Sequence, residues 1–218
     1  MAEILITLGI IGIVAALTMP SLIQNHRNHV VATRLKAAYS EINQAIALAE
    51  IDYGDRTLWY NTSDVDFDKN GKPVSGSAPR IKWINKYLIP YLKVVKTERF
   101  DTNNYPIFYL ANGTAIQAAH QTSLADWNVY TASPEKCKKY DRRRGKCAFM
   151  FNYMPSNTKS GWHRYLGRNF EPYKYNYNGT RTSLYNNCKN SIYGEYCATL
   201  IQYEGWKIPK DYPFKVVY

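Results

Sequence analysis

The sequence predicts an α+β fold, in which one long N-terminal helix packs on a small antiparallel β-sheet within a loop-rich head that carries disulfides. Three observations lead to this prediction. An uncharged apolar run at residues 4–23 is followed by apolar residues at helical spacing. An Asn-Gly pair further along lies between two apolar runs, which is typical of a β-hairpin. Four cysteines lie in the C-terminal half of the chain, between residues 137 and 197.

The apolar run reads ILITLGIIGIVAALTMPSLI and carries no charge over its twenty residues. At about 1.5 Å per residue, a helix of this length spans the roughly 30 Å hydrocarbon core of a bilayer. The residue before the run is the acidic Glu3, whereas a removable signal peptide starts with a basic segment. A carboxylate at this place either has a role of its own or lies in the headgroup layer at the helix N-terminus. Local physics leaves both interpretations open.

The helix is predicted to continue beyond the membrane as an amphipathic segment that ends near Gly54. Pro20 is expected to kink or locally unwind it, because proline removes a backbone donor and clashes with the preceding turn. We therefore divide the chain into a membrane half of the helix at 1–23, an amphipathic half at 24–53 and a globular head at 54–218. Spacings of four and three place six apolar residues on one face of the amphipathic half. These residues are Val31, Leu35, Ala38, Ile42, Ala45 and Ala49.

The hairpin is the clearest signal within the head. Residues 107–110 and 114–118 are apolar runs on either side of Asn112-Gly113, the dipeptide favoured by tight hairpin turns. Residues 147–153, CAFMFNY, read as a third strand that continues the same sheet.

Loops and short helices are expected to complete the head. Residues 55–80 are polar and rich in Gly, Ser, Asp and Asn, which indicates a long loop. Residues 81–92 predict a short helix that breaks near Pro90, and residues 154–195 are expected to be mostly loop. A second short helix is predicted at 196–204, before Gly205.

The cysteines form two close pairs, Cys137 with Cys147 and Cys188 with Cys197. Neither pair has the Cys-x-x-Cys spacing of a zinc site, and an even number in a secreted head favours disulfides. Short loops close most easily, so we predict the bonds Cys137–Cys147 and Cys188–Cys197. The other connectivities and four free thiols remain the alternatives.

The chain is basic, with 28 Lys and Arg against 17 Asp and Glu, which gives a formal net charge of +11. Such a charge permits contact with nucleic acid or an anionic surface, and it also fits a solvated basic surface. The densest basic segment, KKYDRRRGK, lies between Cys137 and Cys147. Lysine and arginine neutralise phosphates and a tyrosine ring stacks on a base, so DNA binding is one interpretation of this loop. A solvated basic loop is the alternative. The residues concerned are Lys138, Lys139, Tyr140, Arg142, Arg143 and Arg144.

A possible calcium loop follows the long helix. Asp66, Asp68 and Asn70 precede Gly71 in the order that opens a calcium-binding loop. The glutamate expected at the twelfth position of such a loop is replaced by Ser77. An ordinary Asp/Asn turn is therefore the alternative, and no other cofactor is expected.

The N-terminal segment AEILITLGIIGIVAALTMPSLI resembles the prepilin-type segment of type IV pilins and type II secretion pseudopilins. In that family a glutamate precedes the apolar run and a proline stands seventeen residues later, as Glu3 and Pro20 do here. The tail GWKIPKDYP is similar to a bacterial prepilin-type subgroup. The resemblance is strong over residues 2–52 and patchy afterwards. Met1 stands at the family's third mature position, so we expect the native product to begin upstream with a short basic leader that ends in glycine.

The resemblance implies a structural filament subunit and not an enzyme. The precursor would cross the bacterial inner membrane once, with its N-terminus in the cytoplasm, until a prepilin peptidase removes the leader. Pilus or secretion assembly machinery would then move it into a cell-surface filament or a periplasmic pseudopilus, where it meets copies of itself or other pilins. Glu3 would pair with the N-terminal amine of a neighbour. Gly12 and Ala16 would allow close helix approach, and Pro20 would allow local unwinding.

Two other functions are alternatives to a structural filament subunit. A minor pilin at a filament tip would bind DNA or a surface through the basic loop of its head. An enzyme or receptor merely anchored by one helix is disfavoured by the amphipathic continuation and by Pro20. The sequence also contains no HExxH, Walker or G-x-S-x-G motif, so we predict no catalytic residues.

Overall fold

A computed structural model describes residues 2–59, 69–70, 79–100, 105–118, 126–140, 144–153, 170–191 and 193–218. It has the predicted α+β architecture, with a long helix followed by an antiparallel sheet and short helices. The described helices are α1 Ala2–Tyr53, α2 Pro79–Tyr87, α3 Pro134–Lys138, α4 Arg181–Asn190 and α5 Cys197–Tyr203. The described strands are β1 Val94–Phe100, β2 Tyr105–Leu110, β3 Ala115–Ala118, β4 Asp126–Tyr130, β5 Ala148–Tyr153 and β6 Phe170–Pro172.

Helix α1 buries the face that its spacing predicts. All six predicted residues of the amphipathic half are at most 1% exposed, and they belong to one apolar core with the sheet and α5. The helix ends where expected, since Gly54 has a φ of 76° and its N–H bonds the Glu50 carbonyl at 2.9 Å. A kink or local unwinding is expected at Pro20 from the sequence. The unwinding is wrong, because the helix runs through this residue without a break, and the kink stays a prediction. Proline removes one backbone donor, and the residues on either side of it remain helical.

The sheet is larger than predicted. Its described strands are antiparallel and follow the chain order from β1 to β6. The hairpin is confirmed, because β2 and β3 pair across Asn112-Gly113 and Gly113 has a φ of 81°. The strand predicted at 147–153 is confirmed as β5, although β4 lies between it and β3. Strands β1, β4 and β6 were not predicted.

The segment predicted as a broken helix and the segment predicted as loop have different outcomes in the structure. The break near Pro90 is confirmed, since α2 is followed by a 3₁₀ turn at Ile89–Tyr91. The prediction of loop for 154–195 is wrong where α4 and β6 form. Thr180 caps α4 by accepting a hydrogen bond from the Ser183 N–H, and the helix buries Leu184 and Cys188. Helix α5 is confirmed at the predicted place.

The Asn43 side chain on helix α1 bonds to the backbone of strand β6, as a neighbouring strand would. Asn43 accepts a hydrogen bond from the Phe170 N–H and donates one to the Phe170 carbonyl, each at 2.9 Å. The Asn43 amide thus satisfies the backbone N–H and the carbonyl of Phe170, as a residue on a paired strand would. Next to it, the Tyr39 hydroxyl donates to Glu171 at 3.0 Å, and Lys174 pairs with the same carboxylate at 2.9 Å. These contacts fix the rotation of the helix relative to the sheet.

The buried face of α1 predicts a contrast between two leucines of the same helix. Leu35→Ala removes a fully buried side chain and is expected to lower the free energy of unfolding by about 2–5 kcal/mol. Leu48→Ala makes the same chemical change at a residue that is 48% exposed and should cost about 1 kcal/mol or less. Denaturant unfolding of the detergent-solubilised chain measures both. Equal losses would show that the amphipathic half does not form the core.

Candidate functional site

The apolar half of α1 projects from the head with its side chains uncovered. The described large apolar side chains between Ile4 and Ile23 are about half exposed or more, and Leu17 reaches 76%. Within the described residues, one helix is long and apolar enough to cross a membrane, and its apolar window has no buried residue. This segment therefore differs from the core helix of a soluble protein, whose apolar surface is covered. By length and composition it is suited to a membrane span or a signal sequence.

The predicted assembly residues lie along this uncovered segment. Glu3 is in the first turn of α1, and its side chain is outside the described part. Gly12 and Ala16 are exposed one turn apart, and no described atom lies within 4 Å of a Cβ built on Gly12. Pro20 is exposed on the same half. The arrangement leaves room for a second helix to approach at Gly12.

Arg34 joins α1 to three separate parts of the head. Its Nη1 donates a hydrogen bond to the Thr131 carbonyl at 2.6 Å, beyond the end of β4. Its guanidinium lies 5.1 Å from the centroid of the Tyr218 ring, which is a cation–π distance. A Cβ on Gly113 would lie 3.0 Å from Arg34 Nη2, so glycine lets the β2–β3 turn approach. The base of the head is thus fixed to the helix just beyond the apolar half.

The basic loop is closed by the predicted disulfide Cys137–Cys147, and both cysteines are fully buried. Ser133 caps α3 by accepting a hydrogen bond from the Lys136 N–H, which places Lys138 at the end of this short helix. Lys138, Lys139 and Tyr140 are exposed, and Arg142 and Arg143 lie outside the described residues. The Lys146 ammonium lies 5.6 Å from the centroid of the Tyr140 ring.

Arg144 differs from the lysines, because it is directed into the head. Its Nε donates a hydrogen bond to Asn128 Oδ1 at 3.2 Å, and its backbone carbonyl lies 3.0 Å from a Cβ built on Gly194. It also faces Glu195, whose pKa is raised by burial and lowered in part by the charge of Arg144. We therefore assign Arg144 a structural role in the head.

Gly145 brings the two disulfide loops together. The second predicted bond, Cys188–Cys197, is also confirmed. A Cβ on Gly145 would lie 2.7 Å from Cys197 Sγ, and the Tyr212 hydroxyl donates to the Gly145 carbonyl at 2.8 Å. Gly145 also has a φ of 83°, which favours glycine. The basic loop, α5 and the C-terminal tail consequently pack as one unit.

The predicted calcium site is described only at its edge. Asp66 and Asp68 lie outside the described residues, and Asn70 is exposed. In the part of the chain that is described, no group of three or more His, Cys, Asp or Glu side chains is placed to hold a metal ion. Calcium binding by this segment stays a prediction.

Sequence reasoning missed the residues that fix the helix to the head. Arg34 and Asn43 were not predicted as sites, because their partners lie 97 and 127 positions away along the chain. The available signal was a polar side chain beside the buried stripe, and most such residues are simply solvated. Their spacing on α1 does not indicate which head segment they contact.

Gly145 and Gly205 form a matched pair for testing how the loops pack. Both have positive φ, but a Cβ on Gly205 meets no described atom within 4 Å. Gly205→Ala is expected to cost roughly 1–2 kcal/mol of unfolding free energy from backbone strain. Gly145→Ala should cost about 1–3 kcal/mol more because of overpacking against Cys197 and Phe214. Denaturant unfolding of the oxidised chain measures the difference, and equal losses would contradict the close packing.

The model of a family of unknown function, DUF6613, matches residues 21–216. No curated protein and no solved structure gave a significant match. The matched region begins directly after Pro20 and includes the amphipathic half of α1 and nearly all of the head. Since it covers most of the chain, the protein belongs to the family of unknown function DUF6613.

Proposed function

We propose that this chain is a structural subunit of a type IV pilus or a type II secretion pseudopilus, assembled through its N-terminal helix. Before assembly it would cross the bacterial inner membrane once, with its N-terminus in the cytoplasm. After assembly it would lie in a cell-surface filament or a periplasmic pseudopilus. The observation that carries the proposal is the division of α1, whose amphipathic half is core while its apolar half is uncovered.

The uncovered half needs an apolar environment. Burying one large apolar side chain is worth about 1.5–3 kcal/mol, so an exposed row of them strongly disfavours water. The exposed large apolar side chains of this half are Ile4, Leu8, Ile10, Ile11, Ile13, Val14, Leu17, Met19, Leu22 and Ile23. A bilayer satisfies them, and so does a bundle of the same helix from other copies. A subunit can therefore exchange one environment for the other at little hydrophobic cost.

Packing and polar contacts would then decide between membrane and filament, because lipid is as apolar as the helix surface. Exposed Gly12 and Ala16 permit the close approach of helices. An acidic side chain within the hydrocarbon costs about 2.5–3.5 kcal/mol on insertion scales. A bridge from Glu3 to the N-terminal amine of a neighbouring subunit would remove this cost in the filament alone. Glu3 would therefore destabilise the free subunit in the membrane and favour its assembly into the filament.

The attachment of the head supports a load-bearing role for α1. Arg34 and Asn43 tie the helix to β4, β6 and the C-terminus, beside a core that buries the six-residue stripe. A force on the head would therefore pass to the helix without bending a linker.

Expected partners are copies of this chain or other pilins, the pilus or secretion assembly machinery, and the prepilin peptidase.

Glu3→Ala should leave membrane insertion intact and reduce filament yield at least about tenfold, which corresponds to losing roughly 1.4 kcal/mol of assembly free energy per subunit. Membrane insertion is measured by alkaline extraction of host membranes, and yield by quantifying the chain in sheared filaments. Glu41→Ala is the matched control, since it makes the same change on the amphipathic half of α1. Normal filament yield from Glu3→Ala would refute the role given to this carboxylate.

A second function, DNA capture by a minor pilin, is favoured by the exposure of Lys138 and Lys139 on a disulfide-closed loop. A closed loop holds its cations near one another before a ligand arrives, which lowers the ordering cost of binding. The formal net charge of +11 would draw a polyanion to the head. Tyr140 is 36% exposed next to these lysines, and an exposed aromatic ring can stack on a base.

Replacing Lys138 and Lys139 by glutamine should weaken DNA binding and reduce the slope of log affinity against log salt by about 2, because two phosphate contacts are lost. Fluorescence anisotropy with labelled duplex DNA at several salt concentrations measures both. Lys207 and Lys210 are exposed on the tail, and their replacement by glutamine is the control with the same change of charge. Absence of binding at low salt, or equal effects of the two double variants, would rule out capture by this loop.

A further inference from the structure

Strand β1 forms an edge of the sheet among the described strands, with its inner side paired to β2. Three consecutive residues of the strand are exposed: Val95 is 67% exposed, the Lys96 side chain is 60% exposed, and Thr97 is also exposed. An edge strand presents backbone N–H and C=O groups that another strand can pair with. The chemistry of its side chains then decides which strand it accepts.

The charges of β1 are arranged in an order that complements itself. Lys96 and Glu98 are two residues apart in the strand, so their side chains share one face of the sheet. Lys96 forms an ion pair with Glu98, and the Tyr109 hydroxyl donates to Glu98 at 2.7 Å. These hydrogen bonds, from Lys96 first and Tyr109 second, hold the pKa of Glu98 below its usual value. Glu98 is therefore charged at neutral pH, next to a charged lysine.

Two copies of β1 can pair antiparallel about a two-fold axis through Thr97. In this register Lys96 of each copy lies opposite Glu98 of the other, and symmetry repeats the pair. Residues directly opposite each other are close enough for opposite charges to stabilise the pairing. Moving the axis to Lys96 or to Glu98 would place like charges opposite each other, which is destabilising. Among these three registers, the charges favour the one about Thr97.

Lysines and bulges on edge strands often serve to prevent pairing. β1 has a lysine, and its register shifts between Val94 and Lys96. The shift lies at the start of the strand, however, and the ladder from Lys96 to Phe100 is regular. A lysine alone repels a second copy of its own strand, whereas the order Lys-Thr-Glu attracts one. This difference favours docking over protection.

We propose that β1 is a docking edge through which two copies of this chain pair, antiparallel about Thr97. A two-fold contact closes on itself, whereas a helical filament repeats a head-to-tail contact. If the proposed filament function holds, β1 pairing would therefore join subunits of two neighbouring filaments and not successive subunits of one. Many such pairs along two filaments would add their effects through avidity.

The first test introduces a cysteine at the symmetry axis of the full-length chain in detergent. Opposite residues have Cα atoms about 4.5–5.5 Å apart, which lies within the roughly 4.4–6.8 Å that a disulfide accepts. All four native cysteines are buried in disulfides, so the new thiol is free to react. Thr97→Cys should give a covalent dimer under mild oxidation, seen on a non-reducing gel. Thr182→Cys, the same change at an exposed residue of α4, should give none.

The second test adds charge changes to Thr97→Cys. Lys96→Glu alone and Glu98→Lys alone should each abolish the dimer, because like charges then face each other. The double exchange Lys96→Glu with Glu98→Lys should restore it, and a mixture of the two single variants should give the heterodimer. Near-UV circular dichroism checks that every head stays folded.

Two results would overturn the proposal: a dimer yield that does not respond to the charge changes, or no excess of dimer over Thr182→Cys. The experiment uses dispersed chains and requires no filament. Its failure is therefore distinct from a failure of the assembly role given to Glu3.

Discussion

The packing of the amphipathic half of α1 against the sheet is the interaction on which the rest of the structure depends. The head closes its core over six residues of this half, and Asn43 completes the edge of β6 as a strand would. Arg34 then joins the helix to β4 and the C-terminus. Because these contacts begin only after residue 23, the head leaves the apolar half uncovered. One continuous helix consequently connects the head to an uncovered apolar segment, which by length and composition suits a membrane span or a signal sequence.

The helix and its buried face could be predicted because they depend on local periodicity. Spacings of four and three identified the six buried positions, Gly54 marked the end, and Asn112-Gly113 marked the hairpin. Both disulfides followed from short loop lengths. In each case the determining signal lies among residues that are close together in the chain. Contacts with distant parts of the chain therefore did not alter the predicted structure.

The missed elements depend on contacts that are distant in the chain. Helix α4 is polar and Asn-rich, and the Cys188–Cys197 bond and the bonds of Arg181 to Glu204 and Asp211 hold it in place. Strand β6 has three residues and gains its last partner from Asn43 on α1. The same reason explains the site: α1 gives no indication that Arg34 reaches Thr131. Basic character alone likewise did not separate the exposed lysines of the loop from Arg144, which bonds Asn128.

The central claim is that the uncovered half of α1 becomes the core of a filament. Helical reconstruction by electron cryo-microscopy, on filaments from host cells that overproduce the chain, tests it most directly. We expect filaments that contain this chain, with residues 4–23 helical and packed against the same segment of neighbouring subunits around the axis. Filaments without the chain, or a mature protein from which residues 4–23 have been removed, would contradict the account.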